Sequence, residues 1–281
     1  MTLEELLPDG DYRFSFRFER ADPRAFFSPT ECHDDLISQR RSWLRQDPKR
    51  YAALLPEGEP LLDETIELAC KWGVLKTPAA PWSTRFPRAL DRCVALGCEL
   101  EPDFLLLRLE PSRTARLAGG VVCFPSAWSL EEKIGCPITA IHEVVPGLNA
   151  ALGAQINSFL LKLRSEVAWS RSNWGLSRTA ELNQHPSRGL PRLDEAVELE
   201  DVWLRVEHQL LLALPNSNGI LFGIRIVNHS VTGLQNSPAL TGLATALSTI
   251  PDSLAVYKGL AKAKQRLIEL LNSWNSKRSM R

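Results

Sequence analysis

Between Asp11 and Glu19 the chain reads D-Y-R-F-S-F-R-F-E. Tyr12, Phe14, Phe16 and Phe18 alternate with Arg13, Ser15 and Arg17, a strict period of two that predicts a half-buried strand. Residues 29–54 are charged and helix-permissive, with Leu36, Ile37, Trp43 and Leu44 at helical spacings. Two prolines and a glycine make 56–60 a loop, and Leu61–Trp72 reads as a short helix. The segment 76–88 holds Pro78, Pro81 and Pro87, so it reads as a long irregular connection, with Trp82 and Phe86 packing inside it.

Asp103–Leu109 is apolar on both faces and reads as a strand, as does Gly119–Phe124. Over Ala150–Trp169, the stripe Leu152, Ile156, Phe159, Leu160, Leu163 and Val167 predicts an amphipathic helix. Val202–Leu214 and Gly219–Val227 read as an antiparallel hairpin turned by Pro215-Asn-Ser-Asn218. In its first strand Val202, Leu204, Val206, His208 and Leu210 share one face, and Arg205, Glu207 and Gln209 the other. In its second, Ile220, Phe222, Ile224 and Ile226 lie opposite Arg225. Pro251–Trp274 reads as a closing helix, followed by a frayed basic tail, Lys277–Arg281. Strands and helices mix without a βαβ rhythm, which favours an antiparallel sheet with helices packed on it, the α+β class.

The 281 residues are long enough for one large core or two small ones. A formal net charge of zero argues against a general nucleic-acid or membrane-surface binder. The acidic start Met1-Thr-Leu-Glu-Glu lacks the pattern of a secretory signal, and no apolar run is long enough to span a membrane, so a cytoplasmic protein is expected. None of the six cysteines forms a C-x-x-C pair, and the expectation is six reduced thiols, mostly buried. No phosphate-cradling glycine motif or nucleophile elbow is present.

Three motifs follow one another in the middle of the chain: C-F-P-S-A-W at 123–128, E-K-I-G-C-P at 132–137 and I-H-E-V-V-P-G at 141–147. Glu101-Pro-Asp103 precedes them, and Arg171-Ser-Asn-Trp174 and Leu204-Arg-Val-Glu-His-Gln-Leu210 follow in order. This ordered set, over roughly residues 80–230, resembles the haem-dependent oxidative N-demethylase alpha-subunit family. The resemblance implies a PAS-like antiparallel sheet holding haem b, within a single domain 1–281 that has helical extensions on either side. It implies oxidative removal of a methyl group from a small secondary amine, with O2 and electrons from a partner reductase. Formaldehyde is released, and a hetero-oligomer is possible. A non-enzymatic haem sensor or carrier on the same fold, or a haem-free scaffold subunit, are the rival readings.

Haem iron most often takes an imidazole ligand. His142 sits in the resembling motif and is the first candidate, the alternative reading being a loop-capping histidine. His208 is the alternative ligand; it departs from the arginine the family pattern carries there, and it alternates with valine and leucine in an apolar layer. His229 ranks third. Glu207 is the candidate acid that would hold a protonated amine, against a solvated cross-strand pair with Arg225. Lys133 and Arg171 are candidate propionate donors or plain surface charges. Trp128 and Trp174 are haem-face residues or core. Asn173 reads as fixing a turn by bonding its own backbone.

Overall fold

The computed structural model describes all residues except 78–79, 166, 235–236 and 280–281. Its centre is a seven-stranded antiparallel open sheet. The strands are β1 (Glu19–Ala21), β2 (Ala52–Leu54), β3 (Asp103–Leu109), β4 (Ala115–Val121), β5 (Ala168–Ser177), β6 (Trp203–Leu214) and β7 (Gly219–Ser230). Their order across the sheet is β1-β5-β6-β7-β3-β4-β2. The expected hairpin is β6–β7, and it is longer than its apolar run because pairing continues to Trp203 opposite Ser230.

Two layers cover the sheet. On one face, Leu210, Leu212, Leu221, Phe104 and Leu106 pack with the helices His33–Gln46, Glu59–Lys71 and Ala89–Gly97. Further along the same face of β6, Leu204 and Val206 pack with the helices Ala239–Thr249 and Lys264–Ser279. On the other face, Leu211, Ile220 and Ile224 form a smaller core with Leu160, Leu130 and Leu117. Its cover is the helix Ile138–Glu143, a π turn Asn149–Gly153 and the helix Ala154–Leu161. Neither the first helix nor the π turn contributes a buried residue, so this cover is thin.

Several expectations are corrected by what tertiary pairing allows. Residues 11–18 are extended, with Tyr12, Phe14, Phe16 and Phe18 half-buried, but only Glu19–Ala21 joins a ladder. The period of two survives because the aromatic side chains pack. Phe18 stacks on Phe159 at 4.2 Å, and Tyr12 meets Trp174 edge-on at 6.2 Å. The 29–54 segment is helical over His33–Gln46; Pro48 then restarts a single turn, and Ala52–Leu54 is an edge strand on β4. The second mid-chain strand is Ala115–Val121, not Gly119–Phe124, because Asp103 captures the N–H groups of Cys123 and Phe124 and ends the ladder.

The amphipathic helix stops at Leu161, and Trp169 belongs to β5, a strand the periodicity of 150–169 concealed. Asn173 fixes no turn: its Oδ1 accepts from the N–H of the next residue, Trp174, at 2.9 Å within a strand. The closing helix is two, Asp252–Tyr257 and Lys264–Ser279, because Gly259 takes φ +70° between them. The expected tail residues 277–279 continue the second helix, and 280–281 lie outside the described residues. In the 76–88 connection Pro78 lies outside the described residues, and Trp82 and Phe86 do pack together, at 5.7 Å. All six cysteines are free, but only Cys93 and Cys123 are buried; Cys32 is exposed.

Candidate functional site

The register of β5, β6 and β7 sorts the candidate residues. Arg171, Gln209 and Ile224 stand in one row across the strands, and Asn173, Glu207 and Ile226 in the row two residues along. Residues opposite each other share a face, so Arg171 and Glu207 lie diagonally on the face covered by the thin layer. Ser172, His208 and Arg225 form the intervening row, on the opposite face. Glu207 therefore does not meet Arg225. That arginine pairs with the buried Glu101 and bonds the carbonyls of Phe26 and Ser28. Glu207 accepts instead from Gln209 Nε2 at 3.2 Å.

His142 lies at the end of the helix Ile138–Glu143, within electrostatic reach of Arg171. Burial, and then the Arg171 charge, hold its pKa below the ordinary histidine value, so the imidazole is neutral near pH 7. Its ring makes no hydrogen bond among the described residues, which leaves a nitrogen lone pair for a metal. The Arg171 guanidinium likewise has no hydrogen bond or ion pair among the described residues; it sits 5.7 Å over the Phe18 ring. Burial pushes its pKa down, with Glu207 and Tyr12 opposing the shift.

The other candidates are dispersed. Trp128 is half-buried against the smaller core on the same face. Lys133 lies in the turn closed by Ile134 N–H to Leu130 O, half-buried, its ammonium without a hydrogen bond or ion pair among the described residues. Trp174 belongs to the core below the C-terminal helices, as the plain-core reading expects. His208 bonds Ser172 Oγ at 2.9 Å on the far face. Its pKa is lowered by burial, then by the Met1 amine, His229 and Arg225.

Two buried cations received no role from the sequence, although Arg205 was placed on the Glu207 face. Arg205, 3% exposed, donates to the carbonyls of Phe124, Pro125, Glu181 and Leu182 and to Ser126 Oγ. Burial brings its pKa down to about 10, so it stays charged at pH 7 and ties β6 to the first motif loop. Lys258 comes from the break between the last two helices, and its Nζ donates to Trp174 O at 2.7 Å. Burial pulls its pKa to about 8, against the pull of Glu207. Nothing in its local sequence signals this, because its partner lies 84 positions away.

The chemistry of this face suits a metal-bearing prosthetic group: a neutral imidazole, cationic donors, a carboxylate and aromatic walls from Phe18, Phe159 and Trp169. Beside His142 the closed cover leaves a cavity of about 10 Å³, against roughly 300–1,000 Å³ for ordinary cofactor pockets. The donors suit a flat macrocycle, and the cavity between them is too small to seat one as the cover stands. The arrangement is that of an antiparallel-sheet protein with a carboxylate and an arginine on one face of the sheet and an imidazole beside them.

Residues 74–268 match the family described as haem-dependent oxidative N-demethylase, alpha subunit-like, and the chain belongs to that family. The match covers all of β3 to β7, the helices Ala239–Thr249 and Asp252–Tyr257 and the start of Lys264–Ser279, including every candidate residue named above from His142 to Lys258. Among the described residues no helix is long and apolar enough to cross a membrane.

Proposed function

We propose that this protein carries out haem-dependent oxidative N-demethylation of a small secondary amine. The observation that carries the reading is the placing of His142, Arg171 and Glu207 together on one face of the sheet, within the region that matches the family. The reaction takes one O2, two electrons and two protons with the amine, and yields the shortened amine, formaldehyde and water. The electrons come from a partner reductase, in a hetero-oligomer that the alpha-subunit family name favours. We read the sheet as PAS-like, the whole chain as one domain in the cytoplasm, and the cofactor as haem b.

His142 would ligate the iron, and Arg171 and Lys133 would hold the propionates, with Trp128 along the rim. The bound haem supplies the activation of oxygen. Glu207 accepts a charge-assisted hydrogen bond from the substrate ammonium and takes up its proton, which frees the nitrogen lone pair. Leu211, Ile224 and Phe159 keep bulk water from this face.

Two measurements test the reading. Protein expressed with ample haem should show a Soret band, and with reductant, O2 and dimethylamine it should release formaldehyde. A Soret band without turnover favours a haem sensor or carrier, a reading supported by the tight cover over His142. No Soret band leaves the haem-free scaffold.

A further inference from the structure

Gly175 stands in β5 opposite Arg205, on the face that carries Glu207, with Asn173 two residues before it. Glycine weakens a strand interior, and it often marks a place where another group comes close. At the other strand glycines of the sheet that room is taken: a Cβ on Gly119, Gly120, Gly219 or Gly223 would strike a neighbour. On Gly175 it would meet nothing within 4 Å beyond its own chain neighbours. The backbone there is an ordinary strand without a positive φ, so it accepts any L side chain.

The space is held open by its surroundings. Directly opposed side chains in an antiparallel pair stand about 4.5–5.5 Å apart at Cβ, so Arg205 is the residue that would ordinarily cover Gly175. Its guanidinium is instead tied to Phe124 O and Leu182 O, both at 2.8 Å, and to Ser126 Oγ at 2.6 Å. Asn173 is engaged as well, its Oδ1 turned to Trp174 N–H. β1 pairs with β5 only as far as Ser170, so the space opens at an unpaired strand edge. Glu207 lies diagonally across from Gly175, at the spacing of about 7–8 Å that long side chains bridge. Gln209 occupies its Oε2, and no hydrogen bond among the described residues reaches its Oε1. A free carboxylate oxygen thus borders an open, half-buried space. A small alkylammonium ion matches both, donating N–H to the oxygen and laying an alkyl arm over the glycine.

We propose that Gly175 is a specificity-determining residue: the space over it seats one alkyl arm of the ammonium that Glu207 holds, and the missing side chain sets how large that arm can be. The ammonium at Glu207 rests on the functional reading above; the space rests on the sheet register and the anchored Arg205.

Methylamine, dimethylamine and diethylamine are titrated by calorimetry into the haem-free full chain near neutral pH, where each is a cation, with Gly175→Ala and Gly175→Val beside wild type. Gly175→Val should weaken dimethylamine by about tenfold or more and diethylamine further. Methylamine, whose single arm can point elsewhere, should lose much less, so the preference between the amines shifts. Gly175→Ala should fall between, and it carries the comparison should Gly175→Val not fold. Urea midpoints of both variants should lie at or above the wild-type value, because a side chain replaces glycine in a strand. A glycine needed only for folding would give the reverse, a lower midpoint with the preference unchanged, and that outcome overturns the inference.

Equal binding of each amine by wild type and a folded variant also overturns it, as does wild-type protein that binds none of them. Haem-loaded Gly175→Val that releases formaldehyde from dimethylamine at the wild-type KM removes the role of Gly175 and keeps the demethylation reading. A shifted amine preference in a protein that forms no formaldehyde does the opposite.

Discussion

Glu207 and His208 are neighbours in β6 and face opposite sides of the sheet: Glu207 stands opposite Ile226 under the thin cover, and His208 opposite Arg225 on the far side. A ligand that touches Glu207 from its own face therefore has His142 and Arg171 for company. The two histidine candidates are separated by the thickness of the sheet, and this makes them separable by experiment.

His142→Ala should abolish or shift the Soret band, while His208→Gln should leave it in place. The spectrum of each purified variant, with equal haem supplied, is the check. An unchanged band in His142→Ala, with its loss in His208→Gln, would move the site to the other face.

Asp103 and Arg40 form a wholly buried ion pair at 2.5 Å, and Asp103 also accepts from the N–H groups of Cys123 and Phe124. Asp103→Ala strands the guanidinium and both amides. It should cost roughly 3–5 kcal/mol of stability, read as a lower urea midpoint. Arg205→Met, which leaves the carbonyls of Phe124 and Leu182 without their donor, should cost about 3 kcal/mol or more by the same measure.

His208 and His229 both have pKa values held below the ordinary 6.5, burial being the first cause for each. In the window between 6.5 and the depressed folded values the unfolded chain binds more protons. Stability therefore falls as pH drops through the unfolded value, and the loss is complete below the folded values. The double variant His208→Gln, His229→Gln should lose less stability than wild type between pH ~7.5 and ~5.5, in urea unfolding at each pH. An equal loss in both proteins would show that other groups carry the acid response.

Gly242 packs directly against the backbone of Leu7, where an added Cβ would collide with the Leu7 carbonyl. Gly242→Ala should push the first helix, Leu3–Leu6, off the helix Ala239–Thr249 and loosen the aromatic strap that follows. Limited proteolysis should then cut within residues 8–18 faster than in wild type. The Tyr12–Trp174 contact beside Lys258 would loosen with it.

Much was legible locally. The hairpin of β6 and β7, the alternation that separates Glu207 from His208, and the helices around Leu36–Leu44 and Leu61–Trp72 all follow from side-chain period. Period reports which way a side chain points relative to its neighbours, and short-range sterics set that. The half-burial of Tyr12, Phe14, Phe16 and Phe18 was determined in the same way, although their backbone found no ladder. The ordered motifs from Cys123 to Gly147 carried the family, which the match over 74–268 bears out.

Only the tertiary structure decided who stands opposite whom. Register across β5, β6 and β7 put Arg171 diagonal to Glu207 and sent Arg225 to Glu101, and no local pattern encodes a partner 124 positions away. β5 itself was hidden, because its mixture of Ser, Arg, Asn and Trp has no apolar period; it is a strand because β6 pairs with it over nine residues. Lys258 is the plainest case. In the sequence it is one more lysine near a glycine, and its place at the Trp174 carbonyl depends on the turn between two helices docking onto a strand edge. Side-chain direction is a local property of the backbone, whereas the meeting of charges is settled by long-range packing, so the elements could be read from the sequence and the site's composition could not.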